Sequence, residues 1–179
     1  MRNVPLILAA FLLASCGGND VPSPAERLEG EAAAPVDEGL VTLRADGLTA
    51  GAESFFFAAG ENEVRAALAA TLGDPVNNGD MPECGAGPMN FVAYPRGVAV
   101  NFQDGMLVGW LLEERSDDVE VSSNIAIADP QFQVREMPGF HAIEDSTLGE
   151  EFVISGEIAG FFDDGNVSML YAGTQCFFR

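Results

Sequence analysis

Residues 98–112 read VAVNFQDGMLVGWLL, in which two apolar-rich runs flank the pair Asp104-Gly105. An Asp-Gly pair between two such runs favours a two-residue type I′ hairpin, because both central residues of that turn need positive φ. Residues 157–172, EIAGFFDDGNVSMLYA, repeat the pattern around Asp164-Gly165. A calcium loop would need spaced oxygen ligands over a longer stretch. Both sites therefore predict tight turns between antiparallel strands.

The two hairpins also predict which side chains share a face, because residues that flank a two-residue turn pair on the same side. The first hairpin is predicted to have an apolar core face of Val98, Val100, Phe102, Leu107 and Leu111. The core face of the second is predicted to carry Ile158, Phe162, Val167, Met169 and Tyr171. The opposite faces mix a few large apolar groups with polar ones.

This mixed face is the predicted binding surface, since an exposed apolar patch rimmed by polar residues is typical of protein contacts. Its predicted members are Asn101, Gln103, Met106, Val108, Trp110, Phe161 and Leu170. The alternative is that a helix or the N-terminal segment covers Trp110 and Phe161. The hairpins alone do not decide between these two interpretations.

The chain from residue 54 to 172 looks duplicated. Ser54–Ala58 aligns with Asn124–Ala128 at an offset of 70, and Phe102–Leu107 aligns with Phe162–Val167 at an offset of 60. The first part carries about ten extra residues around Asn77–Gly87. Because the order of helix and hairpin repeats as well, the pattern predicts two tandem repeats.

One helix is expected in each repeat. Gly60–Leu72 is Ala-rich and places apolar side chains at i, i+4 and i+8, and Gly73-Asp74-Pro75 ends it. A shorter helix follows Pro130. The expected strands are Leu40–Arg44, Asn90–Tyr94, Val98–Gln103, Met106–Glu113, His141–Asp145, Glu151–Ser155, Glu157–Phe162 and Val167–Ala172.

These elements predict an α+β domain over residues 39–179. It would consist of two tandem helix-plus-antiparallel-sheet repeats, about 40–115 and 120–179, that form one continuous sheet with the helices on one face. With 141 residues, such a domain has room for a substantial core.

Gly60-Glu61-Asn62-Glu63-Val64, followed by Leu72-Gly73-Asp74-Pro75, resembles the signature of the SmpA/OmlA (BamE) lipoproteins. Those proteins pair a helical hairpin with a small antiparallel sheet. Two such units in one chain are similar to the β-lactamase inhibitor protein fold, whose tandem repeats form one curved sheet with helices behind it. The resemblance covers about residues 54–110 and 124–172 and implies an architecture but no functional residues. The second repeat departs from it by lacking the Leu-Gly-x-Pro stop.

The first 15 residues read as a bacterial lipoprotein signal. A positive Arg2 precedes a short apolar run, and Leu13-Ala14-Ser15-Cys16 matches a lipobox. A membrane-spanning helix would need about 20 apolar residues, and a plain secretory signal would not need the cysteine. Cys16 is therefore the predicted lipidation site, and residues 16–38, rich in Pro and acids, are the predicted disordered tether. Gly17 favours the outer membrane of the bacterial cell envelope.

The chain is strongly acidic, with 28 Asp and Glu residues against 8 basic ones, all of them Arg. The net charge of −20 repels nucleic-acid phosphates and anionic lipid headgroups, so no nucleic-acid partner is expected. The expected contacts are the membrane, through the lipid on Cys16, and an envelope protein.

Cys84 and Cys176 remain once Cys16 carries the lipid. Two cysteines in an exported domain most simply form one disulfide. Its loop of roughly 90 residues would contribute about 4–5 kcal/mol in the chain-entropy model. The alternative of a metal or redox pair has little support, because the chain has one His and no Cys-x-x-Cys motif.

The expected function is that of a lipid-anchored, non-catalytic protein-binding module that uses its open sheet face. The alternative is a structural lipoprotein that supports outer-membrane integrity or assembly. A hydrolase is less favoured, because His141 is the sole imidazole and its neighbours Asp145 and Ser146 do not make a triad. No catalytic residue, metal or cofactor is predicted.

Overall fold

The computed structural model describes residues 39–177. Two helices, α1 and α2, span Glu61–Leu72 and Gln131–Arg135. The twelve strands β1 to β12 are, in order, Val41–Arg44, Gly47–Ala50, Glu53–Phe56, Asn77–Met81, Met89–Ala93, Val98–Gln103, Met106–Leu112, Val119–Val121, Phe140–Ile143, Glu150–Ile154, Ile158–Asp163 and Asn166–Gly173. The predicted α+β class is confirmed. The predicted signal segment, the tether and Cys16 lie outside the described residues.

Eight strands form the larger sheet, in the order β4-β5-β6-β7-β12-β11-β10-β9. Each neighbouring pair is antiparallel, and β7 and β12 join its two halves. Both predicted hairpin turns are confirmed, since φ is positive at Asp104 and Gly105 and again at Asp164 and Gly165. Positive φ at both positions is what a type I′ turn requires. The two hairpins thus supply the four central strands of this sheet.

The sequence patterns do not predict β4. Its sequence, NNGDM, shows no apolar alternation, and its residues are exposed or half-buried. It pairs with β5 over five residues at the edge of the sheet. A strand without apolar alternation leaves little trace in a hydrophobic pattern.

A second sheet of four strands has the order β3-β2-β1-β8, so the prediction of one continuous sheet is wrong. The predicted strand at Leu40–Arg44 is present as β1, but two tight turns, at Ala45-Asp46 and at Gly51-Ala52, fold the following residues into β2 and β3. β8 then adds to β1 in parallel. Strands this short carry too little alternation to be recognised.

The core lies between the larger sheet and a layer made by α1 and the smaller sheet. α1 buries Val64, Ala67 and Leu68 against that core, and Glu61 and Glu63 in its first turn interact favourably with the helix dipole. Gly73, at φ 96°, ends the helix and donates its N–H to the Ala69 carbonyl oxygen at 3.1 Å. The inner face of the larger sheet, which we define by Val100, Phe102, Trp110, Phe152 and Leu170, supplies the other half of the core.

Each central hairpin contains a β-bulge that the sequence pattern does not predict. Asn101 pairs with Gly109 but Phe102 pairs with Leu107, so Val108 is an extra residue. Ser168 is extra in the same way, between the Phe161 and Phe162 pairs. One extra residue reverses which side chains point to which face. Every face assignment beyond the bulge is therefore inverted relative to the prediction.

Candidate binding face

The side of the larger sheet that faces away from the core is the outer face. A single cross-strand row, defined by consecutive register pairs, crosses all eight strands on this side. The row runs Asn77, Ala93, Ala99, Leu111, Tyr171, Ala159, Val153 and His141. Apolar side chains thus form a continuous stripe with a polar residue at each end.

The predicted binding residues divide between the two faces. Trp110 and Leu170 lie on the inner face with 0% exposure, so their assignment to an open face is wrong. The bulges cause this error, because both residues follow the extra residue in their strand. Val108 is itself the extra residue and is half-buried. Asn101, Gln103, Met106 and Phe161 do belong to the outer face.

A short C-terminal strap, residues 174–177, crosses the outer face. The Thr174 N–H donates to the Val108 carbonyl oxygen at 2.7 Å. Asn101 Nδ2 donates to the Thr174 carbonyl oxygen and, at 2.8 Å, to Gln175 Oε1. Gln175 Nε2 in turn donates to the Trp110 carbonyl oxygen at 3.0 Å. Asn101 is consequently buried and serves to hold the strap.

The predicted disulfide is confirmed by the position of its two cysteines. Cys84 and Cys176 pair with their Cα atoms 5.4 Å apart and 92 residues apart in sequence. The bond fastens the strap to the loop that follows β4. Gln103 holds the same loop, because its Nε2 donates to the Ala86 carbonyl oxygen at 3.0 Å. Gln103 therefore fixes the rim of the face and is not a free contact residue.

An aromatic cluster lies where the strap meets β11 and β12. The Phe177 ring stands edge-on to Phe161 and Tyr171, with centroid distances of 5.6 and 5.0 Å. The Tyr171 hydroxyl donates to the carboxylate of Glu151, which is only 3% exposed. Gln175 and Phe177 are not among the predicted site residues, although the disulfide to Cys176 holds both of them against this sheet.

The described part of the outer face carries no arginine. Four of the five arginines between residues 39 and 177 form ion pairs elsewhere: Arg44 with Asp46, Arg65 with Glu61, Arg96 with Asp118, and Arg115 with Asp129. The fifth, Arg135, stacks over Phe140 and Phe162. Within residues 39–177, the outer face thus combines an apolar centre with no arginine side chain.

His141 is exposed on β9, at the edge of the outer face. Asp145 and Ser146 follow in the loop after this strand. Among residues 39–177, no group of three or more His, Cys, Asp or Glu side chains is placed to hold a metal ion. Over the same residues, neither helix has the length and apolar character needed to cross a membrane.

No family model matches the chain, and no curated protein or solved structure matches it either.

Proposed function

We propose that this chain is a lipid-anchored lipoprotein of the bacterial envelope and that its folded domain is a non-catalytic protein-binding module. The docking surface is the outer face of the larger sheet. The lipid on Cys16 would hold the domain at the membrane, and residues 16–38 would set its reach. The lipobox and the composition of the tether support this part of the proposal.

We also infer that the larger sheet contains two tandem repeats, residues 58–112 and 128–173. Equivalent backbone hydrogen bonds support this inference. The N–H of Ala58 donates to the Leu107 carbonyl oxygen, as Ala128 does to Val167, both at 2.8 Å. Ala58 and Ala128 also share positive φ, at 76° and 67°. The bulges and the mirrored strand orders β4-β5-β6-β7 and β9-β10-β11-β12 fall at equivalent positions as well.

One observation carries the binding proposal: several large apolar side chains of the outer face remain partly exposed to solvent. Phe91, Leu111, Val153, Phe161 and Met169 are each half-buried rather than buried. An antiparallel sheet whose other side packs on helices leaves such a face available. Large apolar side chains at the centre of a surface are the usual anchors of a protein interface.

A site-specific cross-link tests the docking face. A photoreactive amino acid at Leu111, in the full chain in its native bacterium, is expected to capture one envelope protein. The same amino acid at Ala70, exposed on α1, is the control and should capture nothing in common with it. Identical products from both positions would refute the proposed face.

A surface variant then separates binding from stability. Val153→Arg places a charge in the same cross-strand row as Leu111, and we expect it to abolish the Leu111 cross-link. Because Val153 is only half-buried, its loss should leave the fold intact, which urea unfolding checks. Ala70→Arg is the matched control. Retention of the cross-link in Val153→Arg would count against the proposal.

Fatty-acid incorporation tests the anchor. Cys16→Ser should lose labelled palmitate, because the Cys16 thiol is the nucleophile that takes up the diacylglyceryl group carrying the fatty acids. Cys84→Ser is the control and should keep the label, since Cys84 pairs with Cys176. Equal labelling of both variants would contradict lipidation at Cys16.

A further inference from the structure

A cavity of about 550 Å³ opens on the outer face beside the strap. Its walls include Leu148, Phe161, Met169 and Phe177, and two acidic side chains, Glu113 and Asp163, also line it. The volume falls within the range of sites that take a small ligand or one long side chain, roughly 300–1,000 Å³. None of the sequence patterns predicted this cavity.

The aromatic part of the wall is built in advance. Phe177 contacts Phe161 edge-on, and the neighbouring Cys176 is joined to Cys84, so the ring is held against the sheet by a covalent bond one residue away. A pre-organised wall lowers the entropy cost of binding, because few side chains must be ordered when a ligand arrives.

Among residues 39–177, both charged side chains that line the cavity are acidic. Glu113 and Asp163 are exposed, and neither forms an ion pair with an arginine of residues 39–177. Among residues 39–177, no Arg lines the cavity. Apolar walls with carboxylates at an exposed edge match a long cationic side chain, whose stem packs on the rings while its charged end reaches the acids.

Between arginine and lysine, the structure favours arginine. The guanidinium group is planar, stacks on aromatic rings and is less strongly hydrated than an ammonium group. This chain already contains such contacts, with Arg44 4.9 Å above the Phe56 ring and Arg135 5.6 Å above the Phe140 ring. The same pairing is available in the cavity to an arginine from outside.

We propose that this cavity receives an arginine side chain of the protein partner. The proposal rests on the proposed docking function and names the chemistry of that partner: an arginine exposed within an apolar surface. The net charge of −20 would also attract a basic partner before contact.

A methionine-methyl NMR titration tests the proposal on the full chain in neutral detergent micelles, with the disulfide intact. The probe is the capped tripeptide Gly-Arg-Gly, and the control is the same peptide with citrulline, which is neutral and of nearly the same shape. We expect a saturable shift of the Met169 methyl signal and none for Met89 or Met106, which lie on the same sheet but do not line the cavity. The citrulline peptide should bind at least about tenfold more weakly.

Two pairs of variants locate the effect. Glu113→Gln with Asp163→Asn should weaken the Met169 response, whereas Asp74→Asn with Glu136→Gln removes the same charge from exposed positions outside the cavity and should not. Phe177→Ala should likewise weaken binding of the peptide. Phe56→Ala is its control, because the Phe56 ring is 59% exposed and does not line the cavity.

Three results would overturn the arginine cavity: no saturable Met169 shift, equal binding of the citrulline peptide, or equal effects of the cavity variants and their controls. These results are distinguishable from failure of the docking face. The Leu111 cross-link and its loss in Val153→Arg can succeed when the peptide titration fails.

Discussion

The indole N–H of Trp110 donates a hydrogen bond of 2.6 Å to the carbonyl oxygen of Arg44. Trp110 lies at the centre of the larger sheet, and Arg44 ends the first strand of the smaller one. A fully buried side chain thereby joins the two sheets. The residue that the sequence places at the centre of an exposed contact surface is instead part of the core.

Trp110→Phe tests this role. The variant keeps most of the apolar volume but loses the donor to Arg44, so we expect the free energy of unfolding to fall by about 1–3 kcal/mol. Urea denaturation measures the change. Leu111→Ala, at a half-buried neighbour on the outer face, should cost less. A larger loss at Leu111 than at Trp110 would contradict the assignment of faces.

The position of the strap on the outer face should depend on the absence of a side chain at Gly109. A Cβ atom at this position would collide with the Thr174 carbonyl oxygen and lie 2.8 Å from Gln175 Nε2. We expect Gly109→Ala to displace the strap and to lower the free energy of unfolding by about 1–3 kcal/mol. Gly85→Ala is the control, because nothing lies within 4 Å of its Cβ position. Equal melting temperatures for the two variants would show that the strap does not pack on Gly109.

The disulfide should raise the free energy of unfolding, because it closes a long loop of the chain. Replacing both Cys84 and Cys176 with Ser removes a link between residues 92 apart. The expected loss is about 2–5 kcal/mol in the free energy of unfolding, since the unfolded chain regains its freedom. Urea unfolding of the native chain with and without a thiol reductant provides an independent check. A reductant that also destabilises the double-Ser variant would be acting on something other than this bond.

Stability at alkaline pH should depend on Tyr94. Burial raises the pKa of this hydroxyl above its usual value of 10.0, an effect that the charge of Arg65 partly opposes. The folded state therefore holds the Tyr94 proton more tightly than the unfolded state does. The stability that this provides is complete below pH 10 and is lost as the pH rises through the folded pKa. Tyr94→Phe should show a shallower loss in melts above pH 10. Parallel pH profiles for the two proteins would refute the role of Tyr94.

Features that depend on neighbouring residues were predictable from the sequence. The Asp104-Gly105 and Asp164-Gly165 turns and the span of α1 are encoded locally. The disulfide followed from counting cysteines. The turns and α1 follow from local backbone preferences, and the disulfide follows from the number of cysteines. None of these predictions requires knowledge of the packing.

The binding face was only partly predictable, because a β-bulge leaves no clear mark in the sequence. Val108 is an ordinary apolar residue and Ser168 an ordinary polar one. Each nevertheless reverses the face to which the following side chains of its strand point. Trp110 and Leu170 were misplaced for this reason alone. Asn101, which precedes the bulge, was placed on the correct face, but its partner Gln175 is distant in sequence and was not foreseen.

The position of β12 has a consequence for how the domain is made. This strand, residues 166–173, comes last among the twelve but lies between β7 and β11. Until it arrives, the two halves of the sheet have nothing to join them, and the N-terminal half ends in a bare strand edge. Because a ribosome makes the chain from its N-terminus, the larger sheet cannot be completed until residues 166–173 have emerged. The pairing of β7 with β12 therefore forms after both hairpins have been synthesised, as a late step in folding.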